Sequence, residues 1–100
     1  MPFGTGSTPE GFGTPLAPAT SSVTAVTSTV VAVNPDRKKL VIINIGTVNV
    51  YFGIGYPAVM SSGIVLTPNG TWVMDGYTFS TAAINAICAS TSTLAIQEYN

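Results

Sequence analysis

The chain has 100 residues, with room for one domain, and of these only 7% are charged while 46% are hydrophobic, at a net charge of −1. That composition excludes a disordered chain and a basic nucleic-acid binder, and so few charges cover a lone surface poorly, which predicts burial against other chains. Histidine is absent and there is one cysteine, so the commonest general base and any internal disulfide are excluded together.

The first 22 residues, MPFGTGSTPEGFGTPLAPATSS, hold Pro2, Pro9, Pro15, Pro18, Gly4, Gly6, Gly11 and Gly13. Neither a helix nor a strand ladder runs far through such punctuation, so residues 1–22 are expected to form an extended arm and residues 23–100 the folded domain. Phe3, Phe12 and Leu16 stand out in the arm. They are large apolar residues with no core of their own, and they read as anchors for another subunit. No basic n-region or apolar h-region of a secretory leader is visible at the start.

From Val23 the pattern changes. SSVTAVTSTVVAV (21–33) alternates, Val23, Ala25 and Thr27 against Thr24, Val26 and Ser28, and then turns wholly apolar, as a strand does when one end is more deeply buried. NPDR (34–37) follows as a turn, with Pro35 presetting φ and Asn34 and Asp36 forming side-chain bonds. KKLVIIN (38–44) is the next strand, and Gly46-Thr47 reads as a tight reversal into VNVYFGI (48–54), where Val48, Val50, Phe52 and Ile54 share one face. After a loop at 55–63 come IVLT (64–67), the turn PNG (68–70) and TWVM (71–74). DGYTFS (75–80) is another loop. AAINAICAS (82–90) and TLAIQEY (93–99) close the chain as a hairpin; a helix over 80–88 competes for the first of them, but length and flanks favour a strand. The expected architecture is all-β, a small antiparallel sandwich or barrel of about seven strands.

Leu40 to Met74 carries no charge and follows Arg37, Lys38 and Lys39, which by length alone would permit a membrane span. Asn44, Asn49, Pro57, Pro68, Asn69 and the glycines break it into β-branched bursts, so no membrane partner is expected. Cys88 lies in an apolar run and reads as a small buried hydrophobe. The carboxylates Glu10, Asp36, Asp75 and Glu98 are scattered, with no spacing that pairs an acid with a base, and nothing points to a cofactor or a metal; the chain is not expected to be an enzyme. Gly53-Ile54-Gly55 lacks the third glycine and the helix of a nucleotide fingerprint, and Asn69-Gly70-Thr71 reads as the PNG turn rather than a glycosylation site.

Arg37, Lys38 and Lys39 are all the basic side chains in the protein. Three cations without interleaved aromatics do not make a nucleic-acid site. They read as a lysine-guarded strand edge or as a contact to an acidic partner surface, with the planar fork of Arg37 also able to cap the 34–36 turn. Trp72, Tyr51, Tyr56 and Tyr77 offer an alternative, an aromatic platform for sugars, against ordinary packing.

NPDRKKLVIINIGTVNVYFGIG, then GIVLTPNGTWVMDG, then AINAICASTSTLAIQE resembles the small all-β virion structural proteins of tailed bacteriophages. The matching positions are Asn34, Pro35, Arg37, Leu40, Ile42, Asn44, Val50, Tyr51, Gly63, Leu66, Pro68 and Gly70. The resemblance covers about residues 23–99 and leaves the arm outside. It implies a virion subunit, with a capsid decoration or cement protein as the leading expectation: one that clamps neighbouring major capsid protein subunits, as a homo-oligomer with a trimer favoured. Phe3, Phe12, Leu16, Arg37, Lys38 and Lys39 are the expected partner-binding residues. A receptor- or glycan-binding module of a tail, fibre or adaptor is the alternative.

Overall fold

A computed structural model describes residues 13–74 and 79–100. Eight strands follow in chain order: β1 (Ala19–Thr24), β2 (Ser28–Val31), β3 (Lys39–Asn44), β4 (Val50–Ile54), β5 (Ile64–Leu66), β6 (Thr71–Val73), β7 (Ile84–Cys88) and β8 (Thr91–Tyr99). All pair antiparallel, in two four-stranded sheets of order β1-β8-β3-β6 and β2-β7-β4-β5. The all-β expectation holds. Among the described residues there is no helix long and apolar enough to cross a membrane.

The pairing has a simple logic. β4 pairs with β5, β3 with β6, β2 with β7 and β1 with β8, so the chain is one long hairpin, folded double about the 55–63 loop. Rolling that hairpin brings β3 beside β8 and β4 beside β7, which joins the pairs into two sheets. This is the strand order of a jelly roll, a solution that leaves only short edges. Alternation then builds the core: Leu40, Ile42, Leu94 and Ile96 from the first sheet meet Val50, Phe52, Leu66, Ile84 and Ala86 from the second. Cys88 is buried among them. Trp72 tilts onto Phe52 across the sandwich, ring centroids 6.0 Å apart.

Three expectations are corrected. Residues 21–33 are not one strand: the chain leaves the first sheet after Thr24 and enters the second at Ser28, which raises the strand number from about seven to eight. The corner at 25–27 has no proline or glycine; Thr24 shapes it, its Oγ1 accepting from the Val26 amide and donating to the Val26 carbonyl, both at 3.3 Å. The folded domain also starts earlier than residue 23. β1 begins at Ala19, and before it the Leu16 amide donates to the Glu98 carbonyl while Thr14 and Asn100 bond each other's backbone. Finally, β7 and β8 do not form a hairpin. β7 is a strand, as expected, but it pairs with β2 and β4 while β8 pairs with β1 and β3, because the short 89–90 connection crosses between sheets. The Gly46-Thr47 reversal and the PNG turn cross in the same way.

One buried side chain fixes the end where these crossings occur. Asn44, fully buried at the end of β3, donates to the carbonyls of Val48 (2.7 Å) and Leu66 (2.9 Å) and accepts from the Gly46 amide (3.0 Å) and the Ser92 hydroxyl (2.8 Å). All four of its side-chain bonds are made, tying the β3–β4 loop to the end of β5 and the start of β8. Gly46 has to be glycine, since a Cβ there would lie 1.9 Å from Ser92 Oγ.

Candidate interaction surface

The opposite end of the sandwich gathers the β2–β3, β4–β5 and β6–β7 connections with the chain's C-terminus. The NPDR turn forms as its residues predict: the Arg37 amide donates to the Asn34 carbonyl (3.1 Å) and the Asp36 amide to Asn34 Oδ1 (3.1 Å). The turn directs the three cations differently. Arg37 points inward and is 2% exposed, whereas Lys38 and Lys39 are exposed.

Arg37 is therefore buried within the chain itself, where the sequence reading grouped it with its two exposed neighbours. Its Nε donates to Glu98 Oε2 at 2.7 Å, Nη1 to the carbonyls of Ser80 and Ala82 and Nη2 to that of Ala32, each at 2.9 Å. Asn34 Nδ2 adds a bond to the same carboxylate oxygen (3.1 Å). A planar guanidinium with a fixed fork of donors suits such a set of acceptors, and a buried charge is tolerated because it is paired and bonded. It pins two loops and β8 together rather than capping its own turn.

Other bonds tie the loops to one another. The Asn34 amide donates to the Thr81 carbonyl (2.9 Å) and the Gly55 amide to that of Ala83 (2.8 Å). The 55–63 loop then folds back over the second sheet: Asn85 Nδ2 donates to the Tyr56 carbonyl (2.6 Å) and the Ala58 amide to Thr27 Oγ1 (2.8 Å). Gly53 makes room for it, since a Cβ there would lie 2.5 Å from the Tyr56 carbonyl oxygen. The loop returns through Ser61 and Gly63, both at positive φ.

On this braced scaffold stand Val33, Tyr56, Val59, Met60 and Phe79, all exposed, with Tyr56 the most open at 77%. Sequence reading passed over most of them because they lie inside segments that turn residues mark as loops. The available signal was their size: a loop with no partner has little reason to hold valine, methionine and phenylalanine. Exposed apolar side chains of this size suit contact with another protein, and the exposed Lys38 and Lys39 add two cations to the protein's surface.

The remaining sequence candidates are placed as follows. Leu16 lies along β8, 37% exposed, with its carbonyl accepting from Gln97 Nε2 (2.7 Å). Phe3, Phe12 and Tyr77 lie outside the described residues. The other aromatics do not assemble as one platform: Trp72 packs inward against the core, Tyr51 lies between Val65 and Ile87 on the outer side of the second sheet, and Tyr56 stands on its loop. Compared with family models, curated proteins and solved structures, the chain matches none, so its surface chemistry and its architecture are what speak for its function.

Proposed function

We propose that this chain is a non-enzymatic structural subunit of a tailed-phage particle, a capsid decoration protein that binds the major capsid protein shell and stabilises it against internal DNA pressure. The observation that carries the reading is the set of large apolar side chains left exposed on braced connections, Val33, Tyr56, Val59, Met60 and Phe79, together with the exposed Lys38 and Lys39. Burial of such side chains at the centre of an interface contributes roughly 1–3 kcal/mol each, and the two lysines steer the encounter with an acidic surface. Two further features agree with it. The jelly-roll strand order is an architecture used by viral capsid domains, which is support by analogy only; and the low surface charge suits a subunit whose surface is shared with neighbours.

The same architecture serves lectin domains, so particle location decides between the shell and a receptor-binding module of a tail or fibre. The test is the copy number of the protein on purified particles of the phage that encodes it, by quantitative mass spectrometry. Hundreds of copies per particle are expected. A few to tens would replace the shell assignment with a tail or fibre one, and absence from particles would end both.

A further inference from the structure

The outer face of the first sheet carries a groove over β8. Ala95 forms its floor, in a cross-strand row between Thr20 of β1 and Ile43 of β3, and Gln97 continues it beside Val41. A lone methyl flanked by two β-branched side chains makes the row dip. The resulting groove, about 400 Å³, is lined by Pro18, Thr20, Val41, Ile43, Ala95 and Gln97 among others, with no charged side chain in its walls.

The described segment that precedes β1 leads away from it. From Thr20 back to Thr14 the chain runs antiparallel to β8, bonded in turn to Glu98 and Asn100, so at Gly13 it is heading off the end of the sheet. Twelve residues remain beyond that point, and Phe3 and Phe12 are the aromatic ones among them. Extended, twelve residues span about 40 Å, against about 17 Å for the stretch of β8 from Ala95 to the chain's end. That is ample to cross to a neighbour and lie along its groove.

We propose that residues 1–12 of one copy occupy the groove over β8 of a second copy, with the arm's phenylalanines seated against Ala95, Val41 and Ile43. Arm and groove are different surfaces, so the contact is heterologous; it closes as a ring, which accommodates a trimer, or as a reciprocal pair. The inference rests on the self-association expected of a decoration subunit, but not on the phage particle.

The full-length protein tests it. By sedimentation velocity at micromolar concentration the wild type should be an oligomer. Phe3→Ser combined with Phe12→Ser, and separately Ala95→Arg, should each give a monomer with unchanged far-ultraviolet circular dichroism. In a mixture of two single variants, Ala95→Cys with Phe3→Cys or Phe12→Cys, mild oxidation should form a disulfide between chains, since the native Cys88 is buried. A monomeric wild type overturns the proposal, as does an oligomer that survives both the arm and the groove variants. A disulfide that forms only when both new cysteines share one chain also overturns it, by placing the arm in its own groove. If Ala95→Arg unfolds, the arm variant decides. Attachment to particles is measured in parallel: an arm-linked oligomer that does not attach overturns the shell assignment alone, and a monomer that attaches overturns this inference alone.

Discussion

Replacing Arg37 with methionine removes the four hydrogen bonds its guanidinium makes to Glu98, Ser80, Ala82 and Ala32 while keeping an unbranched apolar stem. Three carbonyls lose their donor, each at a cost of about 1 kcal/mol where water can partly replace it. Glu98 loses its cation but keeps the bond from Asn34, and its side chain is 17% exposed, so its share is also about 1 kcal/mol. The sum, about 4 kcal/mol, falls within the usual cost of breaking a buried pair from one side. A domain of this size has about 5–10 kcal/mol in total, so the variant keeps roughly half its stability or less. Thermal unfolding followed by circular dichroism should show a fall in Tm of about 15–30 °C. Arg37→Lys should lose an intermediate amount, because one ammonium cannot reach acceptors spread over two loops and β8. A drop of less than about 5 °C in the methionine variant would refute the reasoning and return Arg37 to the surface with its two lysine neighbours.

Four further outcomes are expected. Asn44→Ala should cost about 3–4 kcal/mol in urea denaturation, since it strands the carbonyls of Val48 and Leu66, the Gly46 amide and the Ser92 hydroxyl. Tyr56→Ser with Val59→Ser should change stability by no more than about 0.5 kcal/mol per site, both being exposed, yet weaken attachment to particles at least about tenfold in a pull-down. Lys38→Glu with Lys39→Glu should slow attachment in a salt-dependent way, and the wild type should ignore DNA at about 0.15 M salt; micromolar, salt-sensitive DNA binding would contradict the reading of these lysines. Removing residues 1–12 should leave the far-ultraviolet circular dichroism in place while losing the concentration-dependent part of Tm, whereas removing residues 1–22 also takes Ala19–Ser22 from their pairing with β8 and should lower Tm further.

What could be read from the sequence was local, and what could not was relational. Alternation in 48–54 marks Val50 and Phe52 as sharing a face, and the structure puts both inside. The NPDR turn forms because Asn34 and Pro35 act on their immediate neighbours. Alternation does not say which strand lies alongside, however, and a two-residue connection such as Ala89-Ser90 can close a hairpin or pass from one sheet to the other. In this fold it passes across, and β4 with β5 is the pair of consecutive strands that bond each other. Arg37 was misread for a related reason. Beside two lysines it looks solvated, but three of its acceptors lie 43–61 residues away. The 25–27 corner was hidden because Thr24 shapes it without any glycine or proline.

The folded-double pairing has a consequence for how the protein is made. β4 and β5 are the closest partners along the chain, so they can pair first, and the remaining pairs close outward until β1 meets β8. Ala19 waits for Ile96, which at ordinary rates of synthesis means about 4–15 s with an unpartnered strand. Contacts this distant in sequence also make folding slow. The final strand inserts between β1 and β3, in the interior of its sheet, so a chain released before β8 has been made presents two bare edges at once. Such a product is a seed for aggregation, so wherever the protein is made in quantity there is a gain from finishing every copy.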